Sequence, residues 1–284
     1  MKTSLKSIFV TLYLCFLVGA SAFALWRIAG PHFALGWIGA LLTTAPFLVL
    51  LTWLMVTQRS ARTSPRLPSI IAFGAAGVIL AYWSWLVGFS DRTPLVIALT
   101  GFLSFLIYSF WYSDLGPRRS GALALGRALP DFLVQTESGS EVASATWRGR
   151  PTVLIFYRGN WCPLCMAQIK EVAHRYHEVE AMGARVALIS PQPQAHTQQL
   201  ARKHGVNFEY YVDAANSAAR LLGIDHPGGL PLGMSVLGYD ADTVLPTVVV
   251  TDKERIVRWT HETDNYRVRP EPELFLSVLR THAL

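Results

Sequence analysis

Apolar and polar positions along the 284-residue chain fall into two regimes that meet near residue 112. Before that point lie four long apolar stretches, Ile8–Trp26, Phe33–Val56, Ile70–Phe89 and Leu95–Tyr112, joined by short polar segments. Each has about the 20 residues a helix needs to cross a hydrocarbon core, and none carries a charge at its centre. Trp26, Trp37, Trp53, Trp83, Trp85, Trp111 and Tyr112 fall mostly toward their ends, as interfacial aromatics do. Pro46 inside the second stretch predicts a kink. After residue 112 the apolar runs shorten and alternate. Val153–Tyr157 reads as a buried strand, and Met166–Met182 carries Ile169, Val172, Ala173, Tyr176 and Val179 at helical spacing. Strands follow at Val186–Ser190 and Phe208–Val212, with helices at Gln194–His204 and Ala214–Leu222. Two consecutive strands, Pro246–Thr251 and Ile256–Thr260, precede a closing helix at Glu273–Leu279.

This pattern predicts an α-helical membrane domain of about four transmembrane helices over residues 1–112. A linker follows over 113–128, rich in Gly and Arg, then an α/β domain over 129–284 with a central mixed sheet. Hydrophobic residues make up 51% of the chain and charged residues only 15%, which fits a membrane part. The net charge of +6 comes entirely from the first 112 residues, where seven Lys and Arg face the single acid Asp91. That excess flanks apolar runs instead of forming a basic face, so nucleic acid is excluded as a partner and lipid is expected.

Lys2, Lys6, Arg59, Arg62, Arg66, Arg118, Arg119 and Arg127 share one side of a four-helix topology, against Arg27 and Arg92 on the other. The positive-inside rule then gives a multi-pass protein of the cell (inner) membrane with its C-terminal domain in the cytoplasm. Miscounting one helix would place that domain outside, in the periplasm. Lys2, Lys6 and Ala20-Ser21-Ala22 also resemble a secretory signal peptide. The length of the apolar core favours a retained anchor. The spans hold no acid, His or Lys at their centres, and Gly36, Gly39, Gly74, Gly77 and Gly101 suit close helix packing, so an anchoring role is expected.

The cysteines are Cys15, Cys162 and Cys165. Cys15 sits in an apolar run and reads as a small lipid- or helix-facing residue. Cys162-Pro163-Leu164-Cys165 joins the first buried strand to the first long helix. At such a turn the helix's unpaired amides and dipole favour a thiolate on the first Cys, and Pro163 fits the first helical turn. The second Cys lies on the same side and can resolve a mixed disulfide. Cys162 is therefore read as the nucleophile and Cys165 as the resolving thiol, a redox-active disulfide with no bound cofactor. Arg158 either stabilises the thiolate or is a solvated arginine. A zinc site using His174 and His177 is disfavoured, because no second Cys pair completes it.

Leu129-Pro130-Asp131-Phe132, Tyr157–Cys165 and Leu245-Pro246-Thr247 together resemble the thioredoxin superfamily, in its peroxiredoxin-like branch (the alkyl hydroperoxide reductase and thiol-specific antioxidant group). The resemblance implies a thioredoxin-like fold in which Pro246 is a cis-proline beside the Cys pair, with Leu245 and Thr247 flanking it. Trp161, Pro163 and Arg158 would shape the site. The chain departs from peroxiredoxins at Gly159, where they carry Thr or Ser, and shows no arginine around Pro246. It departs from thioredoxins in lacking an acid in the strand Val153–Tyr157, which leaves Glu171 as a weak candidate proton acceptor. The expected activity is thiol–disulfide exchange on a protein thiol or disulfide, with an electron-donating redox partner. Alternatives are a thiol peroxidase acting on peroxide, with antioxidant function, and a non-enzymatic membrane redox sensor. The Gly- and Leu-rich loop Asp225–Thr243 is expected either to shape a substrate groove or to pack against the membrane.

Overall fold

The structure, a computed structural model, describes residues 2–31, 34–88 and 91–282. Phe33 and Phe89, outer ends of two expected spans, lie outside the described residues. The chain divides into two compact units. One comprises Ile8–Thr57 and Thr63–Asp114; the other comprises Met1–Ser7, Gln58–Arg62 and Leu115–Leu284.

Four helices carry the apolar stretches: α1 (Lys2–Ala29), α2 (Leu35–Thr57), α3 (Pro68–Leu86) and α4 (Thr93–Ile107), the last continued by a π-helical turn at Tyr108–Tyr112. Among the described residues these four are long and apolar enough to cross a membrane. Large apolar side chains such as Val18, Val49, Ile79 and Leu103 stay exposed on their outer faces, as lipid contact would require. Inside the helical unit small residues set the spacing. A β-carbon on Gly39 would stand 2.5 Å from the Gly77 carbonyl oxygen, so α2 and α3 approach to backbone contact. Ser21 donates to Thr44 at 2.9 Å, a polar link where no water would be available.

The second unit holds a seven-stranded sheet built from β1 (Leu133–Thr136), β2 (Glu141–Ala143), β3 (Thr152–Phe156), β4 (Arg185–Ser190), β5 (Glu209–Val212), β8 (Thr247–Thr251) and β9 (Val257–Glu262). Its order is β2-β1-β5-β4-β3-β8-β9. The strands β3, β4 and β5 run parallel, while β8 and β9 add antiparallel to one side and β1 and β2 to the other. Every residue of β3 is buried, which is why that run is wholly apolar apart from Thr152. Helices α5 (Pro163–His174), α6 (Tyr176–Ala181), α7 (Gln194–Ala201), α8 (Ser217–Leu221) and α9 (Pro272–His282) connect the strands or close the unit. The short strands β6 (Asp225–His226) and β7 (Thr243–Val244) pair with each other at the base of a loop.

Three local features differ from expectation. The single helix expected over Met166–Met182 breaks at Arg175 (φ −105°, ψ 9°), giving α5 and α6. The hairpin β1–β2 is an addition, its strands too short to show an alternating pattern. Of residues 113–128, expected as a linker, 115–128 belong to the second unit. Leu123 is fully buried in the core with Phe132, Trp147 and Leu154. Gly126 donates to the Val257 carbonyl at 2.8 Å, and Val257 donates to Arg127 at 2.8 Å. The apolar Leu123 and the backbone groups beside an open strand edge account for this: both gain by docking.

Candidate active site

The strand β3 delivers Tyr157 and Arg158 to the end of the sheet, and Cys162 forms the N-cap of α5 (φ −89°, ψ 109°) with Pro163 in the first turn. The Cys162 amide donates to the Gly159 carbonyl at 3.2 Å, closing the turn, and its carbonyl receives the first helical bond from Met166 at 3.0 Å. Both cysteines are free thiols; Cys162 is 4% exposed and Cys165 fully buried.

The two thiols are close enough that each shifts the ionisation of the other. Burial pushes the Cys165 thiol up, but the Cys162 thiol beside it, the Arg269 charge, the Arg158 backbone amide and the Arg158 guanidinium outweigh it and hold Cys165 below the ordinary thiol range. Cys162 is held well above that range by the Cys165 thiol beside it, by burial and by the charge on Cys165. The two shifts run in opposite directions, so the pair favours the state with a single proton. Cys162 is the more accessible of the two, so it is the sulfur a substrate would reach first.

Two arginines flank the pair. Arg158 is 6% exposed, so the solvated reading does not hold. Its guanidinium lies over the Trp161 ring at 4.7 Å and donates to the Gly229 carbonyl at 2.5 Å. Arg269 is 3% exposed, yet its Nε and Nη2 have no hydrogen-bond partner among the described residues; Nη1 donates to Val268 at 2.9 Å. A buried guanidinium with open donors is costly unless an anion faces it, and the thiolate supplies that charge. Sequence reasoning missed Arg269, which lies far along the chain just before α9. Its one signal is the spacing Arg267-Val268-Arg269 ahead of Pro270.

A polar brace holds the turn. Gln192 is buried, accepts from the Asn160 amide at 2.8 Å, and donates to Tyr157 at 3.0 Å and Thr197 at 3.1 Å. Burial, then the neighbouring Tyr210 and Cys165, keep the Tyr157 phenol neutral. Gly159 has φ +143°, and a β-carbon there would stand 2.6 Å from Trp161 Nε1. The indole thus occupies the space that a side chain at this position would need.

Thr247 pairs with Phe156 in the β3–β8 register, which brings Leu245 and Pro246 to the end of the sheet where the Cys turn leaves β3. No peptide bond among the described residues is cis, so the expected cis-proline is corrected: the Leu245–Pro246 bond is trans. The Leu245 amide donates to the Ile224 carbonyl at 2.8 Å between the end of β7 and the start of β8, and trans is the favoured X–Pro isomer. Glu171, the weak candidate proton acceptor, instead pairs with Arg62 and accepts from the Ala61 amide. His174 and His177 are exposed on α5 and α6, and His177 faces Glu180.

Residues 125–260 match the model of the AhpC/TSA family. The chain is 23% identical over 141 residues to a thiol-disulfide oxidoreductase ResA of Geobacillus thermodenitrificans, spanning 49% of this chain and 76% of that protein. It is 28% identical over 113 residues to a chloroplastic peroxiredoxin Q of Oryza sativa, spanning 39% of this chain and 52% of that protein. The chain thus covers about half the length of that second relative. Among solved structures, peroxidoxin BcpB of Mycobacterium tuberculosis superposes with a TM-score of 0.45 at 20% identity, over 55% of this chain and 96% of that one.

Proposed function

With a C-terminal domain that is a peroxiredoxin-like member of the thioredoxin superfamily as the premise, we propose that this protein is a membrane-anchored oxidoreductase that reduces disulfides through Cys162 and Cys165. The observation that carries this reading is the placement of Cys162 at the N-cap of α5 with Cys165 in its first turn, both free thiols and both buried, beside the buried Arg158 and Arg269. In the reaction the shared proton passes to Cys165 as the Cys162 thiolate attacks a substrate sulfur, forming a mixed disulfide and releasing one thiolate. Cys165 then attacks Cys162 Sγ, the second substrate thiolate leaves, and the proton goes to it. Two electrons pass to the substrate, and an electron-donating partner returns the Cys162–Cys165 disulfide to the dithiol. This balance needs no acid in β3, since the pair carries its own proton.

Peroxide reduction is the second reading. Here Cys162 is oxidised to a sulfenic acid as the peroxide O–O bond breaks, and Cys165 condenses with it, expelling water. The two buried guanidiniums favour it, while the Trp161 indole at Gly159 leaves no room for a substrate-holding hydroxyl there.

Membrane sidedness follows from the same reading. Lys2, Lys6, Arg59, Arg62 and Arg66 support a cytoplasmic redox domain under the positive-inside rule.

The test uses full-length protein. Cys165→Ser should trap a reducible mixed disulfide with a cystine-containing peptide, and Cys162→Ser should not. Oxidation of the reduced pair should be faster with the peptide disulfide than with hydrogen peroxide. A peroxide rate higher by an order of magnitude would make the second reading the right one.

A further inference from the structure

Within the redox unit, apart from the thiol pair, lies a cavity of about 580 Å³ whose walls include Arg118, Arg119, His261, Glu262, Asp264 and Val268. The end of β9 and the turn after it form one side, and the segment docked on them forms the other. Leu115 donates to the Asp264 carbonyl at 2.7 Å, and the Ser120 amide to Glu262 Oε2 at 2.8 Å. The turn is firm: the Asn265 amide donates to Thr263 Oγ1 at 3.1 Å, and the Val268 amide to the Asn265 carbonyl at 2.8 Å.

The cavity opens at the end of the sheet that carries the Cys turn. Glu262 pairs with Thr247, and Thr247 with Phe156, the last residue of β3. Neighbouring strands stand about 4.8 Å apart, so Glu262 is about 10 Å from the point where the chain leaves β3 for Cys162. The same turn reaches the thiols directly. Its Tyr266 ring lies 5.8 Å from the Arg158 guanidinium, and the charge of Arg269, next to Val268, is felt by His261 and by both cysteines.

Both signs of charge face the cavity, and among the described residues no salt bridge links its arginines to its carboxylates. Arg118 Nη2 is buried without a hydrogen-bond partner among the described residues, and Nη1 reaches only the Thr263 carbonyl, at 3.5 Å. Burial works against the Arg118 charge more than Glu262 and Asp225 offset it. A simple anion would satisfy Arg118 but meet Glu262 and Asp264; a simple cation would meet the arginines. A ligand carrying both signs suits all four. The volume is that of a small-molecule site, and three peptide residues extend about 10 Å, enough to reach from Glu262 to the Cys turn.

The geometry points to this cavity as a binding site for a short zwitterionic peptide disulfide, with Arg118 and Arg119 on its carboxylates and Asp264 on its ammonium group, that presents its sulfurs to Cys162. This rests on the reading of Cys162 and Cys165 as a disulfide-reducing pair. Cys162 attacks one peptide sulfur and the other peptide leaves as a thiolate; Cys165 then attacks Cys162 Sγ and releases the bound peptide thiolate. Two electrons pass from the cysteine pair to the peptide disulfide.

The test uses full-length protein in detergent and S-methylglutathione, a zwitterionic peptide thioether that cannot exchange, so that calorimetric titration reads binding apart from redox chemistry. Saturable binding at one site is expected, weakened about tenfold or more by Arg118→Gln, as loss of a charged hydrogen bond requires. Asp264→Asn, at an exposed position, should weaken it in the same direction and stands in if Arg118→Gln does not fold. No binding to the unmutated protein, or unchanged affinity in the folded variants, overturns the inference. In a second arm the reduced protein is oxidised by oxidised glutathione or by the uncharged disulfide of 2-mercaptoethanol. The variants should raise KM for the peptide disulfide relative to KM for the uncharged one, and an equal change in both would overturn the inference. Binding of S-methylglutathione with no oxidation of the pair by either disulfide would uphold the site and overturn the disulfide-reducing reading instead.

Discussion

Replacing Arg269 with Gln tests the electrostatic account of the thiol pair. The side chain is buried, and its one hydrogen bond among the described residues goes to the adjacent Val268 carbonyl, so its removal leaves the packing of the turn in place. Its charge acts on both Cys162 and Cys165. An opposite charge within reach of a buried group lowers or raises its pKa by about 1–3. Arg158 shares the work here, so the loss of Arg269 should raise the first thiol pKa by about 1, equivalent to about 1.4 kcal/mol. At a pH below that pKa, the thiolate fraction and the alkylation rate should then both fall about tenfold. The assay is the pH dependence of iodoacetamide modification of the reduced full-length protein, followed by mass spectrometry of the peptide bearing the pair. Arg269→Lys should restore most of the lost reactivity. A midpoint unchanged in Arg269→Gln, with the circular dichroism also unchanged, would refute the reasoning and leave the separation of the two ionisations to the interaction between the two thiols alone.

Further expectations follow from other parts of the domain. Gly159→Thr installs the hydroxyl found in peroxiredoxins, but it should cost about 1–3 kcal/mol in backbone strain at φ +143° and displace the Trp161 indole. Denaturant unfolding should show the loss, and a faster reaction with hydrogen peroxide would contradict the steric argument. His226 is pushed down to about 3 by burial, then by Arg158, Lys6 and Arg118. It is neutral when folded and takes up a proton on unfolding, so its contribution is full above its ordinary value near 6.5 and is lost as the pH falls toward 3. His226→Gln should flatten the acid limb of the stability–pH curve, and an unaltered limb would count against that assignment. Leu123→Ala should cost about 2–5 kcal/mol if residues 115–128 belong to the core; a loss near zero in thermal unfolding would return them to a tether.

The order of strands and helices in the redox domain was legible in the sequence because each is a local pattern. An unbroken apolar run such as Val153–Phe156 suits a strand buried on both faces, and Ile169, Val172, Tyr176 and Val179 recur at the helical period. The four apolar stretches were legible for the same reason, and so was the placement of Cys162 at a helix start, since Pro163 and the preceding strand mark that start within a few residues. Solvation and pairing are different in kind. Arg158 reads as a surface residue until the 227–239 loop and Tyr266 cover it. Arg269 and Gln192 reach the Cys turn only because α9 and the end of β4 return to the same edge of the sheet. The trans isomer at Pro246 has no signal in the sequence, and the fate of residues 115–128 depends on the open edge of β9. Sequence alone determined where the thiols are and which elements carry them. Tertiary structure decided their charge state, because a buried charge is set by whichever distant groups replace the water around it.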